Sequence, residues 1–264
     1  MATLYDTAFP IRYHAPMASI YAGTSGFAYP SWKPDFYPPK LPSKKFLEHY
    51  ASRLNSTEIN YTFRRLPSVS TLESWVSATP AHFLFACKAH MRITHILKLK
   101  EATEFTEVFF KAIDPLRTTR RLGPVLFQLP PALKCDVPLL SEFLKTLPDD
   151  LRFAFEFRHA SWLNDDVYRT LSDRKVSLCL AESEKLVVPA VITADFVYSR
   201  LRKPEYTPEE REEIAGKVRD LLAEGREVFV YFKHEDTPDG AFHAQELLIK
   251  IRGNGRNGQA ALTS

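Results

Sequence analysis

From Ile20 to Ile251 the chain switches repeatedly between short apolar runs and amphipathic stretches. The apolar runs are "IYAGTSG" (20–26), "STEINYTF" (56–63), "HFLFACKAH" (82–90), "LGPVLFQLP" (122–130), "FAFEFRHASW" (153–162), "VSLCLAES" (176–183), "DFVYSRLR" (195–202) and "EVFVYFKHE" (227–235). Each is short enough, and rich enough in aromatic and β-branched residues, to read as a strand. Between them lie helix patterns. "SKKFLEHYASRL" (43–54) puts Phe46, Leu47, Tyr50 and Leu54 on one face. "NDDVYRTLSDR" opens on Asn164 as an N-cap, and "TPEEREEIAGKVRDLLAEG" opens on a Thr207–Glu210 capping box with Pro208 in the first position. After the sixth strand, "EKLVVPAVITA" is too short and too proline-interrupted for a full helix.

Strict β–α alternation demands parallel strands, because each strand must return to the same end of the sheet through its helix. Eight such units predict an α/β, TIM-barrel-like (β/α)8 barrel of parallel strands, with a missing or reduced helix after strand 6. The expected organisation is an N-terminal leader over 1–19, the barrel over 20–252 and a disordered tail over 253–264. "GTSG" after the first strand is neither GxGxxG nor GxxxxGK[ST], so no nucleotide-cofactor motif is present.

Thirty-five basic residues against 32 acidic ones leave a net charge of +3, which neither demands nor excludes a polyanionic partner. Cys87, Cys135 and Cys179 are odd in number and form no CxxC, which argues against a disulfide framework and fits a reducing, cytoplasmic compartment. No window holds the roughly 20 apolar residues that would span a membrane, so no membrane partner is expected.

In such a barrel the chemistry sits at the C-terminal ends of the strands. Nearly every strand turns polar at that end: Thr24 and Ser25 on the first, Glu58, Asn60 and Thr62 on the second, Lys88 on the third, Gln128 on the fourth. Glu156 and Arg158 follow on the fifth, Glu182 on the sixth, Arg200 on the seventh and Lys233 on the eighth. Period-2 alternation points Glu58, Lys88, Glu156, Arg158, Arg200 and Lys233 into one pocket. His90, His95, His159 and His234 lie just after strands, and Trp32 and Trp162 lie in post-strand loops where an indole would wall the pocket. The histidines show no HxH, HxxxH or HExxH spacing, so no metal site is assigned and the cofactor is left open.

The motifs "GTSGFAYPSWKPDFYP", "EINYTF", "FACKAHMRITH", "GPVLFQLPP", "FEFRHASW" and "DFVYSRL" occur in the order seen in the family called domain of unknown function 72, the YecE-like proteins. The chain resembles that family over roughly residues 20 to 250. The resemblance implies a TIM-barrel-like fold and carries no activity. Departures concentrate late in the chain: Phe27 stands where Trp is usual, Glu182 where Asp is usual, Arg202 where a His is usual, and "YFKHED" replaces an asparagine-rich end.

The expected function is that of an enzyme, a hydrolase or lyase, acting at the barrel mouth on a small polar or anionic substrate. Glu58, Lys88, Glu156 and Arg158 are its expected catalytic groups. Thr24, Ser25, Trp32, Asn60, Thr62, His90, His95, Gln128, His159, Trp162, Glu182, Arg200, Lys233 and His234 are the expected substrate contacts. The alternative is a non-catalytic nucleic-acid-binding protein using Lys98, Lys100, Arg117, Arg120, Arg121, Arg200, Arg202 and Lys203 on phosphates.

Overall fold

In a computed structural model, the structure describes residues 18–233 and 236–260, with side chains as far as residue 253. Eight strands form one sheet: β1 Ile20–Thr24, β2 Ser56–Ile59, β3 Leu84–Lys88, β4 Leu122–Gln128, β5 Phe153–Glu156, β6 Ser177–Ala181, β7 Phe196–Leu201 and β8 Glu227–Phe232. Their order is β1-β8-β7-β6-β5-β4-β3-β2, and each hydrogen-bonded pair is parallel. Around them run α1 Phe46–Ala51, α2 Tyr61–Arg64, α3 Val69–Ser77, α4 Thr103–Thr118, α5 Val137–Lys145, α6 Asp165–Asp173, α7 Pro208–Ala223 and α8 Asp239–Ala260. No helix separates β6 from β7; Thr193 holds that connection by accepting from Leu178 N at 2.8 Å and donating to Val176 O at 2.6 Å. The result is the TIM-barrel-like fold that the alternation demands.

The caps fall where the side chains dictate. Asn164 accepts from the backbone of Asp166 and Val167, and the Thr207–Glu210 box opens α7. Two boundaries differ from the sequence pattern. β2 stops at Ile59 and turns at once into the one-turn α2, because the Thr62 hydroxyl donates to Ile59 O at 3.0 Å and to Lys88 O at 2.7 Å. α8 runs to Ala260, so residues 253–260 of the expected tail lie within its span. The expected leader, through residue 17, and residues 261–264 lie outside the described residues. No helix among the described residues is long and apolar enough to cross a membrane.

The first and last sheet edges meet through side chains rather than a backbone ladder. Only one bridge, Ser25 to Glu58, joins β1 to β2. Above it, Gly26 N donates to Glu58 O at 2.8 Å. Below it, the Asn55 amide accepts from Ala22 N at 2.9 Å and donates to Ile20 O at 2.8 Å, taking the place of a neighbouring strand. The Tyr50 phenol from α1 accepts from Thr24 N at 2.8 Å and donates to Ser56 O at 3.0 Å. Gly23 is required here, since a Cβ would stand 1.8 Å from Ser56 O.

Inside the barrel three levels follow from the inward residues. At the N-terminal end Tyr21 stacks on Phe229 with centroids 4.8 Å apart, and an Arg152–Glu227 ion pair closes the floor. Leu84, Ala86, Leu126, Ala154, Cys179, Tyr198 and Tyr231 fill the middle. Polar residues occupy the top. The outward faces carry the phenylalanine wall, where Phe127 stacks on Phe155 at 5.1 Å and meets Phe143 of α5 edge-on at 5.3 Å. Burial pushes the Cys87 thiol up to about 12 and raises that of Cys179, so both serve as protonated core side chains.

If the Asn55 and Tyr50 side chains close the barrel, removing them exposes buried backbone groups that find no other partner. Asn55→Ala should cost about 2–4 kcal/mol in urea unfolding and Tyr50→Phe about 1–3 kcal/mol. An unchanged midpoint for Asn55→Ala would show that closure does not depend on this seam.

Candidate functional site

Arg200, at the C-terminal end of β7, lies in the centre of the top level with its side chain 3% exposed. One arm of its guanidinium donates to Glu58 Oε1 at 2.7 Å, the other to Glu156 Oε2 at 2.5 Å. Such a charge survives burial only because both carboxylates are held in turn. Glu58, fully buried, also accepts from Ser25 Oγ at 2.8 Å and from the Tyr198 phenol at 2.6 Å. Glu156 accepts from Gln128 Nε2 at 2.9 Å and from Arg202 Nη2 at 3.1 Å on both oxygens. Gln128 passes the chain outward, its carbonyl accepting from Lys88 Nζ at 2.8 Å. Period-2 geometry explains the set: Glu58, Lys88, Gln128, Glu156, Tyr198, Arg200 and Arg202 all take the inward face near their strand ends.

Burial and these contacts together shift the protonation of Glu156 and Lys88. Burial pushes the Glu156 carboxyl up, but Arg200, Arg202 and the Gln128 hydrogen bond pull it further down, to about 2. It is therefore an ionised acceptor across the neutral range and no proton donor. Lys88 behaves in the opposite sense. Burial lowers its ammonium to about 8, Arg200 and Arg202 add to the fall, and Glu58 and Glu156 only partly offset it. Its Nζ also sits 4.1 Å from the centre of the Phe63 ring, which α2 swings toward the mouth. His95, on the π-helical turn Arg92–Ile96 after β3, meets the same ring edge-on at 5.0 Å. Burial lowers the His95 imidazole, and Lys88 and Arg158 lower it further, which favours its neutral form.

Several expected contacts lie elsewhere. Thr24 faces the helix layer and bonds Tyr50 and Gly26 O, because alternation gives the interior to Gly23 and Ser25. Trp32 is fully buried between Tyr29, Phe36 and Tyr37, and Trp162 is stacked on Phe157 at 4.8 Å with its indole N–H on Leu133 O; neither offers a face to a ligand. Asn60 and Thr62 leave the Glu58 face because β2 ends before them. His90 and His159 use Nδ1 to accept from the backbone of Arg92 and Ser161, fixing local turns. Glu182 accepts from Arg202 N at 2.6 Å and from the Tyr206 phenol, which anchors the loop into α7. Arg158 does not enter the barrel: β5 stops at Glu156, leaving the Arg158 side chain 43% exposed and 4.0 Å from Glu156 Oε1. Lys233 is exposed at the end of β8, and His234 lies outside the described residues. Among the described residues, no three His, Cys, Asp or Glu side chains come together as a metal site.

The expected nucleic-acid contacts do not share a surface. Arg117, Arg120 and Arg121 precede β4 at the N-terminal end, while Arg200, Arg202 and Lys203 lie at the C-terminal end. Arg121 is buried on Phe83 O and Thr79, and Arg117 and Lys203 are paired with Asp150 and Glu210. Tyr198, Arg202 and Phe63 are the site residues outside the expected catalytic and substrate contacts. Period-2 alternation does put Tyr198, Arg200 and Arg202 on one face, which was the signal for Tyr198 and Arg202. Nothing local announced that Phe63 would turn inward.

Two consequences are measurable. Arg200→Met should cost about 3–5 kcal/mol, since it leaves two carboxylates buried without their counter-charge, and adding Glu58→Gln and Glu156→Gln should recover part of that loss. Glu156 has a depressed folded value, so its contribution is full above about 4.5 and is lost as pH falls toward about 2. Denaturation across that window should show wild-type stability falling, with a shallower fall in Glu156→Gln.

Comparison with known proteins agrees with this architecture. The model of the protein family described as "Protein of unknown function DUF72" matches residues 21–262. The UPF0759 protein YunF of Bacillus subtilis is 26% identical over 269 residues, covering 87% of this chain and 93% of that protein. UPF0759 protein YecE of Escherichia coli K12 is 29% identical over 141 residues, 53% of this chain and 48% of that protein. The crystal structure of a DUF72 family protein from Thermotoga maritima superposes with a TM-score of 0.78 at 27% identity, covering 89% of this chain and 99% of that one. Another, from Enterococcus faecalis, gives 0.70 at 20% identity over 88% and 98%. With matching motifs, a matching barrel and a family match over nearly its whole length, this chain belongs to the DUF72 family.

Proposed function

We propose that the protein is an enzyme whose barrel mouth takes a small anionic substrate, one that carries a carboxylate or phosphate group. The observation that carries this reading is the charge balance at the mouth. Two carboxylates, Glu58 and Glu156, face four cations, Lys88, Arg158, Arg200 and Arg202. The carboxylate oxygens are already engaged by arginine, tyrosine, serine and glutamine donors. Lys88, Arg158 and Arg202 are the members open to solvent. A ligand anion would supply the missing negative charge and accept from a fixed guanidinium.

The roles then divide differently from the sequence expectation. Glu156, held down to about 2, positions the arginines rather than exchanging protons, and Glu58 positions Arg200. Lys88, with its value near 8, and His95 are the groups that can give and take protons near neutral pH. Hydrolase- or lyase-type acid–base chemistry fits such a pair. No observation favours the nucleic-acid reading, since its basic residues are dispersed over both ends of the barrel.

Calorimetric titration with orthophosphate and with pyruvate at low ionic strength tests the proposal. Binding should weaken about 10-fold or more in Arg158→Gln and Arg202→Gln, the loss of one charge-assisted hydrogen bond each. Absence of binding, or binding indifferent to both changes, sinks the reading. Lys88 makes a second, independent test. Its folded value is lowered, so the native state binds the proton less readily than the unfolded chain and stability rises between about 8 and 10.5. Lys88→Met should abolish that rise and stabilise the protein at pH 7 by ~1–3 kcal/mol in urea unfolding.

A further inference from the structure

Lys88 differs from the other cations of the mouth in its partners. Arg200, Arg202 and Arg158 all lie within ion-pair distance of Glu156, and Arg200 also pairs with Glu58. Among the described residues Lys88 makes no ion pair; its Nζ donates to a neutral amide oxygen, that of Gln128. The Phe63 ring lies against Nζ as well. Burial, with the Arg200 and Arg202 guanidinium groups beside it, disfavours the ammonium and outweighs the carboxylates, the ring face and the amide oxygen that favour it. The lowered Lys88 value agrees with this arrangement.

The backbone around Lys88 is built to hold that position. Thr62 pins the Lys88 carbonyl at 2.7 Å. The π-helical turn Arg92–Ile96 follows, and beyond it Lys98, Leu99 and Glu101 adopt φ of 52°, 71° and 49°. Left-handed backbone at a leucine is costly, as is a π-helical turn, and such features concentrate where a side chain must be aimed. Here they set His95 against Phe63, beside Lys88. Arg158 and Arg202 stand at the same rim as anchors for an anion.

Building on the anionic-substrate reading, we infer that Lys88 is a nucleophile that condenses with the carbonyl carbon of a small 2-oxo acid to form a protonated imine. The Nζ lone pair forms the new C–N bond while the carbonyl π pair moves to oxygen. That oxygen takes one of the amine's own protons and one from solvent and leaves as water. The substrate carboxylate lies against Arg158 and Arg202. In a 4-hydroxy-2-oxo acid the imine then accepts the electron pair of the C3–C4 bond, the C4 hydroxyl loses its proton to solvent and that fragment leaves as an aldehyde. The enamine takes a proton at C3, and hydrolysis of the imine releases pyruvate and the free amine. This places the protein in the lyase class.

Reductive trapping tests the step. The full-length protein is incubated with pyruvate or glyoxylate and cyanoborohydride, and lysines are mapped by peptide mass spectrometry. Lys88 should acquire the reduced adduct about 10-fold or more faster than the exposed Lys134, because burial raises the unprotonated fraction of Lys88. Orthophosphate should slow the labelling of Lys88 and leave Lys134 unaffected. Lys88→Arg should keep pyruvate binding in calorimetry and lose the fast adduct, which separates nucleophile from cation. If pyruvate binds but Lys88 is labelled no faster than Lys134, the imine inference fails and the anion site stands. If pyruvate and phosphate both fail to bind, the anion site fails and the inference with it.

Discussion

The Arg200 guanidinium between Glu58 and Glu156 is the interaction on which the upper half of the barrel depends. It ties β7 to β2 and β5 across the interior, distances that no backbone ladder spans. A buried arginine is tolerable only with its charge matched, and a buried carboxylate only with its lone pairs filled. Ser25, Gln128, Tyr198 and Arg202 meet those demands from four further positions. The ring is therefore one unit, in which the loss of a member burdens all the others.

That interdependence assigns roles. A carboxylate held down to about 2 is suited to orienting an arginine and poorly suited to moving a proton at neutral pH. The lysine at the edge of the ring has the complementary property. With the acidic oxygens taken, Lys88 has only an amide oxygen and an aromatic face for partners, and burial beside Arg200 and Arg202 destabilises its ammonium. Satisfying the arginines is thus what leaves the lysine without an acid. The same logic makes the Lys88 ammonium a cost to stability at neutral pH.

The barrel's closure shows a related economy of side chains. Gly23 lets β1 approach Ser56, while Tyr50 and Asn55 occupy backbone donors and acceptors that a continuous ladder would otherwise pair. The seam lies next to Ser25 and Glu58, so it also sets how deeply one carboxylate enters the central network. Closure and site are mechanically joined at that edge.

Strand and helix identity, parallel order and the missing helix before β7 were all legible in the sequence, because each follows from local periodicity, capping and chain return. The inward parity of Glu58, Lys88, Gln128, Glu156 and Arg200 was legible for the same reason. Strand ends were not. Thr62 finds its partner on β3, so the end of β2 depends on a contact 26 residues away, and with it the turning of Asn60 out of the site and of Phe63 into it. Trp32 and Trp162 read as pocket walls, yet packing against aromatic neighbours buried them, and Arg158 stayed at the rim because β5 ended two residues earlier. By itself, the sequence determined the barrel and which faces are polar, since these rest on interactions within a few residues. Only the tertiary structure decided which charges pair, which carboxylate stays ionised and which amine is left without an acid, since those depend on distances between strands that are far apart in the chain.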